Sequence, residues 1–141
     1  ASPHIASREE GILISIPEIV ASKPESNGYL VVEGAGGLLV PLNDQEFVAD
    51  LCLALQARVI LVSRNYLGSI NHSLMTADCC RSRGLNLAGW VFNDQFGDYE
   101  AEISRWSDLP VLGSIPFTDC CDAGFVAKQA ELLAPRLKQW L

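Results

Sequence analysis

Four short apolar runs, separated by segments of helical periodicity, limit the possible folds of this chain more than any other feature of its sequence. The runs are residues 29–32, 58–63, 87–92 and 111–115. Their apolar residues are continuous and do not alternate with polar ones, a pattern that is typical of strands covered on both faces. Strands joined by crossover helices pair in parallel. The sequence therefore predicts a doubly wound α/β fold, with a mainly parallel sheet and helices on both faces.

Five segments carry apolar residues at helical spacing. They are residues 8–22, 47–55, 70–80, 98–106 and 123–133. Pro17 is expected to interrupt the first segment, Gly84 to end the third, and Pro135 to break or restart the last. With 141 residues, of which 49% are hydrophobic, the chain is long enough to bury a core of its own. We expect a single domain over residues 1–141.

Charge and cysteine content argue against several classes of function. The net charge of −7 and the scattered basic residues disfavour a nucleic-acid-binding surface, which needs clustered Lys and Arg. No apolar stretch approaches the roughly 20 residues that cross a bilayer, and the polar first residues do not look like a signal peptide. The five cysteines form no CxxC motif, so a zinc site has little support. Reduced thiols in the cytoplasm are expected.

Gly, Pro and polar residues concentrate after the predicted strands, where open parallel sheets bind ligands. The first run is followed by Glu33, Gly34, Ala35, Gly36 and Gly37. Glycines let the backbone approach a ligand and present N–H groups to anionic oxygens, and a carboxylate at a strand end can hold Mg²⁺ opposite a phosphate. A tight turn with an exposed glutamate is an equal alternative. The loop is not a Walker A motif, because no Gly-Lys-Ser/Thr follows it.

A helix is predicted to begin after the second run, at Gly68, Ser69, Ile70, Asn71 and His72. The free N–H groups and the dipole of a helix N-terminus favour a carboxylate or a phosphate. An equally good interpretation is that Ser69 or Asn71 only caps the helix. We expect His72 to be structural, because no nucleophile is evident near it in the sequence.

Polar and proline residues also follow the third and fourth runs. Asn93 ends an otherwise apolar strand and is followed by Asp94. A carboxamide offers a donor and an acceptor together, as an adenine edge requires, although an Asx-turn with Asp94 is the more common role of such an asparagine. Pro116 and Phe117 come directly after the fourth run.

Six motifs follow one another along the chain. They are Ser-Pro-His-Ile-Ala from Ser2, Val-Val-Glu-Gly-Ala-Gly-Gly-Leu from Val31, Leu-Gly-Ser-Ile-Asn-His from Leu67, Gly-Trp-Val from Gly89, Asn-Asp from Asn93 and Leu-Gly-Ser-Ile-Pro from Leu112. In this order and spacing they resemble the dethiobiotin synthetases over nearly the whole chain. The first three in series are specific, whereas the glycine loop alone would be a weak signal. The resemblance implies a P-loop NTPase-like fold, a ligase of biotin biosynthesis and a homodimer.

The reaction that this resemblance implies closes the ureido ring of dethiobiotin from 7,8-diaminopelargonic acid, CO₂ and ATP, with Mg²⁺ as the metal. Glu33 would bind the metal. The residues that would contact ATP are Glu33, Gly34, Ala35, Gly36, Asn93, Asp94, Pro116 and Phe117. The residues that would hold the substrate are Gly37, Gly68, Ser69, Ile70, Asn71 and Tyr99. The residues at the helix start, from Gly68 to Asn71, and Tyr99 would contact the substrate across a two-fold dimer interface.

The same resemblance identifies what these 141 residues do not contain: the family's P-loop, its catalytic lysine, its substrate-binding serine and its metal-binding aspartate. No catalytic residue is therefore assigned, and ligase turnover is not expected from this chain alone, because phosphoryl transfer depends on positioning and on neutralising charge. The chain is interpreted as the carboxy-terminal part of a longer protein. Asp122 lies near the position of a ribose-binding glutamate. The alternative function is a non-catalytic nucleotide-binding or dimerisation module derived from this family.

Overall fold

The computed structural model describes residues 1–94 and 99–140. The chain divides into two compact units, Ala1–Ala57 and Arg58–Leu141, and each has a core of its own. In chain order the elements are α1 (Pro3–Glu9), α2 (Ile16–Ala21), α3 (Val48–Ala54), β1 (Arg58–Arg64), α4 (Ser69–Ser82), β2 (Asn86–Asn93), α5 (Tyr99–Ser107), β3 (Val111–Ile115) and α6 (Ala123–Trp140). Asp98, the predicted first residue of the fourth helical segment, lies outside the described residues.

The second unit contains a parallel sheet of three strands in the order β1-β2-β3. Trp90 faces α5, where its Nε1 donates a hydrogen bond to the Oγ atom of Ser107 at 2.9 Å. The next residue, Val91, belongs to a core cluster against which Leu137 of α6 packs. Because successive side chains of a strand point to opposite faces, helices cover both faces of this sheet at β2, whereas Val62 of the edge strand β1 is exposed. The predicted α/β class and three of the four predicted strands are confirmed.

The helices of the second unit agree with the predicted segments except at the last one. Helix α4 ends at Ser82, shortly before Gly84, as predicted. The prediction that α6 breaks at Pro135 is wrong, because the helix continues through it to Trp140. A proline in a helix removes one backbone hydrogen bond, but Leu137 anchors the following turn on the core of the sheet. In the part of the chain that the structure describes, no helix is long and apolar enough to span a bilayer.

The first unit is built on a cluster of buried apolar residues from α2, α3 and the loop before α3, namely Ile16, Leu42, Val48 and Leu51. The single helix predicted over residues 8–22 is wrong, because two helices form there and α1 ends before Gly11, which has a φ of +67°. Pro17 lies in the first turn of α2, where its missing N–H group has no partner to lose. The Oγ atom of Ser15 caps that turn by accepting a hydrogen bond from the N–H group of Glu18 at 3.4 Å.

The strand predicted over residues 29–32 is also wrong, because this segment has no regular secondary structure. Its apolar side chains are exposed, and Val31 has 90% of its surface open to solvent. The apolar, β-branched composition that predicted a strand stabilises one only where a neighbouring strand pairs with it and its faces are covered. Among the residues that the structure describes, neither condition holds for this segment.

Candidate functional site

A cavity of about 620 Å³ opens at the carboxyl ends of β2 and β3, beside α6. Apolar side chains form most of its wall, and a few polar groups interrupt them. Its lining residues are Arg64, Asn93, Asp94, Ile115, Pro116, Phe117, Thr118, Cys121, Phe125, Val126, Gln129, Ala130 and Leu133. The structure thus brings together four residues that the sequence analysis assigned to ATP, namely Asn93, Asp94, Pro116 and Phe117. Their roles in binding ATP stay a prediction.

The turn after β2 is held by contacts from both neighbouring strands. Asp94 has a left-handed backbone with a φ of +58°, and its N–H group donates to the carbonyl of Ile115 at 3.0 Å. Its carboxylate pairs with the Nε atom of Arg64 at 2.8 Å, and its carbonyl accepts from the Nδ2 atom of Asn65 at 2.7 Å. These contacts fix the backbone next to Asn93. Asp94 therefore lines the cavity and also holds its neighbour in place.

Asn93 is partly buried, and its carboxamide has no hydrogen-bond partner among residues 1–94 and 99–140. An amide in this state can offer its donor and its acceptor to a ligand in the cavity. The alternative Asx-turn would use the backbone of Gln95, two residues further on, which lies outside the described residues. The apolar walls and the aromatic rings of Phe117 and Phe125 suit a flat heteroaromatic ring, because ligand pockets combine apolar surface with a few placed polar groups.

Three further residues of this wall, Phe125, Val126 and Gln129, were not singled out from the sequence. They lie on one face of α6 at the i, i+3 and i, i+4 spacings of a helix, a signal that is readable in the sequence once a terminal helix is assumed. Asp122 does not line the cavity. Its Oδ1 atom accepts a hydrogen bond from the N–H group of Phe125 at 2.8 Å, so this carboxylate caps α6.

The start of α4 presents free backbone N–H groups. Gly68 is its N-cap, with a φ of +106°, and no side chain caps the helix, so the alternative in which Ser69 or Asn71 serves as the cap is wrong. In the described part of the chain, the N–H groups of Ile70 and Asn71 have no acceptor. Since α4 is 14 residues long, its dipole adds to the attraction of these groups for an anion.

A smaller cavity of about 150 Å³ lies between β1 and the first turns of α4. Ser69 is fully buried there, and its Oγ atom has no partner among the described residues. His72 is hydrogen-bonded through Nδ1 to the hydroxyl of Tyr66, which agrees with the structural role expected of it. Asn71 is exposed, and its Nδ2 atom lies 3.4 Å from the Sδ atom of Met75.

Tyr99 is the first residue of α5 and is partly buried. Its predicted contact with a substrate across a dimer interface stays a prediction. Further along the helix, a hydrogen bond from Arg105 lowers the pKa of the exposed Glu102 carboxyl. That carboxylate is therefore satisfied on the helix surface and lines neither cavity.

The predicted glycine loop, Glu33 to Gly37, lies in the first unit and is exposed throughout. Gly36 has a φ of +89°, a conformation that glycine adopts readily. No other side chain pairs with the carboxylate of Glu33 among the described residues. Nor does any group of three or more His, Cys, Asp or Glu side chains in those residues form a metal site. Mg²⁺ is commonly held by one or two carboxylates together with waters and substrate phosphates, so a single available carboxylate is compatible with that ion.

Comparison with known proteins shows related sequences along nearly the whole chain. Residues 1–123 match the family described as an AAA domain. The ATP-dependent dethiobiotin synthetase BioD of Christiangramia forsetii is 42% identical over 137 residues, which are 96% of this chain and 65% of that protein. The protein of the same name in Ralstonia nicotianae is 39% identical over 145 residues, and the match covers 96% of this chain and 63% of that protein. The protein of this name in Cytophaga hutchinsonii is 53% identical over 93 residues, which are 65% of this chain and 44% of that protein. The chain spans less than two thirds of the length of these relatives.

Proposed function

Because this chain belongs to the AAA domain family and, within it, to the dethiobiotin synthetases, we propose that it forms the base-binding and substrate-carboxylate-binding parts of an ATP- and Mg²⁺-dependent ligase. The complete ligase would close the ureido ring of dethiobiotin from 7,8-diaminopelargonic acid and CO₂. A carbamate forms on one amine, ATP phosphorylates it, and the second amine attacks the mixed anhydride with loss of phosphate. The five free cysteines agree with a reducing cytoplasm as the place of action.

The observation that carries the proposal is the cavity at the carboxyl ends of β2 and β3. It joins Asn93, Pro116 and Phe117, which the resemblance assigned to ATP, in one pocket at the edge of the sheet where α/β folds bind ligands. Asn93 would donate to and accept from an adenine edge, and the rings and apolar side chains would cover the faces of the base. Asp94, held by Arg64, would fix the backbone from which Asn93 projects.

The substrate carboxylate would bind at the start of α4. The N–H groups of Ile70 and Asn71 need an acceptor, and the helix dipole favours a negative one. Leu67, directly before this turn, has 87% of its surface exposed. We propose a homodimer in which the substrate of the partner subunit reaches this helix and Leu67 lies at the interface.

Glu33 would supply one ligand of Mg²⁺, which neutralises charge on the transferred phosphoryl group. Its exposed carboxylate beside a glycine-rich backbone fits that role. The remaining ligands, the phosphate-binding loop and the catalytic lysine would come from outside residues 1–141. The isolated chain is therefore expected to bind ligands weakly and to be inactive.

The proposal is tested by replacing Asn93 with leucine in the full-length protein. Loss of two hydrogen bonds to the base, at about 1 kcal/mol each, raises the KM for ATP by about 10- to 30-fold. The KM for diaminopelargonate should change less than about twofold, because that substrate binds elsewhere. Asn86→Leu is the matched control, since Asn86 is exposed at the opposite end of the same strand.

A rise in both KM values, or in neither, would refute the assignment of the cavity to the base. Binding of ATP by the full-length wild type without any ligase turnover would instead support the second function, a nucleotide-binding module derived from this family.

A further inference from the structure

Gln129 is the one buried residue of α6 in the part of that helix that the structure describes. Only 8% of its surface is exposed, although the side of a helix that packs on a sheet is normally occupied by apolar residues. Gln129 lines the same cavity as Asn93. A polar side chain therefore takes the most protected position of the helix, at the wall of the proposed nucleotide pocket.

The carboxamide of Gln129 makes no hydrogen bond to any residue in the ranges 1–94 and 99–140. The oxygen and nitrogen of this amide stay accessible, because the fully buried side-chain polar atoms that lack a partner in these ranges are those of His4, Asn65 and Ser69. The neighbours of Gln129 in the cavity wall, Val126, Ala130 and Leu133, offer no side-chain polar atoms. The donor and the acceptor of this amide are therefore available to a ligand in the cavity.

We infer that Gln129 is a second base-recognition residue, which together with Asn93 makes the pocket selective for adenine. This inference rests on the proposed nucleotide-binding function. Adenine presents a donor next to an acceptor on two edges, N6–H with N1 and N6–H with N7, and a carboxamide can pair with either edge. On the N7 edge guanine presents two acceptors, O6 and N7, which leave the oxygen of a carboxamide unpaired. The O6 and N1–H edge of guanine can still pair with a carboxamide that is turned over, so the selectivity comes from the amide that contacts the N7 edge.

The two carboxamides come from different elements, because Asn93 ends β2 and Gln129 lies on α6. They can therefore approach a base from different sides. A pocket with two such amides rejects a base that lacks either pattern, since an unpaired buried amide lowers affinity. Gln129 thus acts on the choice of nucleotide and not on the transfer of phosphate.

The test measures the Kd of the full-length protein, wild type and Gln129→Met, for ATP and for three analogues that each lack one atom of the base edges. The analogues are purine riboside triphosphate, 1-deaza-ATP and 7-deaza-ATP. Methionine keeps the length of the side chain and removes its polar atoms, so ATP binding should weaken about tenfold. The loss should be much smaller for the analogue that already lacks the atom with which Gln129 pairs. The preference for ATP over GTP should fall as well.

Gln139→Met is the control, because Gln139 is exposed on the same helix. Gln129→Glu is measured in parallel, as it keeps the shape of the side chain if the methionine variant does not fold. This variant removes the donor and should also weaken ATP binding. Equal losses for ATP and all three analogues, or wild-type affinities in both variants, would overturn the inference. Failure of the wild type to bind ATP would instead overturn the proposed function.

Discussion

Helix α4 has a left-handed glycine at each end, and only one of them is at the proposed substrate site. Gly68, the N-cap, has a φ of +106°, and Gly84, just beyond the C-cap, has a φ of +71°. A Cβ atom at Gly84 would meet no atom within 4 Å, and at Gly68 the nearest atom would be Cε2 of Tyr66 at 3.9 Å. Alanine at either position therefore costs backbone strain without a steric clash.

We predict that Gly68→Ala and Gly84→Ala both lower the free energy of unfolding, and that Gly68→Ala does so by more, because its φ of +106° lies further from the left-handed region open to L-residues. A left-handed conformation costs an L-residue roughly 1–2 kcal/mol, which is about 4–15 °C in Tm for a unit of this size. Only Gly68→Ala should also raise the KM for diaminopelargonate. Relaxation of the strained N-cap turns the N–H groups of Ile70 and Asn71 away from the carboxylate. A charge-assisted hydrogen bond contributes about 1.5–3 kcal/mol, so partial loss raises KM about tenfold.

The assay combines steady-state kinetics of the full-length protein with thermal unfolding of the same samples. Gly84→Ala is the matched control, because it strains the other end of the same helix. Equal increases in KM for the two variants would show that destabilisation of α4, and not the geometry of its N-terminus, controls the substrate. An unchanged KM in Gly68→Ala, with the expected loss in Tm, would refute a carboxylate site at this helix.

Two further results are expected. Glu33→Gln should raise the Mg²⁺ concentration needed for half-maximal turnover of the full-length protein, with diaminopelargonate affinity less affected, because the neutral amide is a poorer ligand for Mg²⁺; normal activity at low Mg²⁺ would be incompatible with a metal role. The amides of residues 29–32 should exchange rapidly with solvent in the isolated chain, where they have no strand partner, and slowly in the full-length protein. Equal exchange rates in the two would identify the segment as a surface loop.

The strands at residues 58–63, 87–92 and 111–115 were predictable because they pair side by side in one sheet and are followed in sequence by the helices that pack on it. Their apolar runs predict burial on both faces, and the structure shows it for β2, whereas Val62 of the edge strand β1 has 63% of its surface exposed. Residues 29–32 have the same composition, but no strand in the described part of the chain pairs with them. Composition shows which segments can form strands, whereas the presence of a partner decides whether they do.

At the end of α6, a contact between residues far apart in sequence outweighs a local sequence signal. Pro135 is a local signal for a break, and the helix nevertheless continues, because Leu137 packs on the cluster formed by Ala88, Val91 and Leu112. Full burial of an apolar side chain is worth about 1.5–3 kcal/mol, so the partial burial of Leu137 offsets part of the roughly 3 kcal/mol that a proline costs inside a helix. A contact between residues far apart in sequence can therefore override a local signal that is otherwise strong.

The candidate site also contains residues that local sequence signals predict and one that depends on tertiary packing. Asn93, Pro116 and Phe117 were identified because a ligand site in a parallel sheet lies beyond the strand ends, and those ends can be read from the sequence. Gln129 was missed because its place depends on how closely α6 approaches β3. Gly113 lacks a side chain at the point where Leu133 packs, so the helix can lie close to the strand. Gln129, one turn before Leu133, is thereby brought to the cavity wall. A glycine in a strand thus positions the side chain that we propose reads the base.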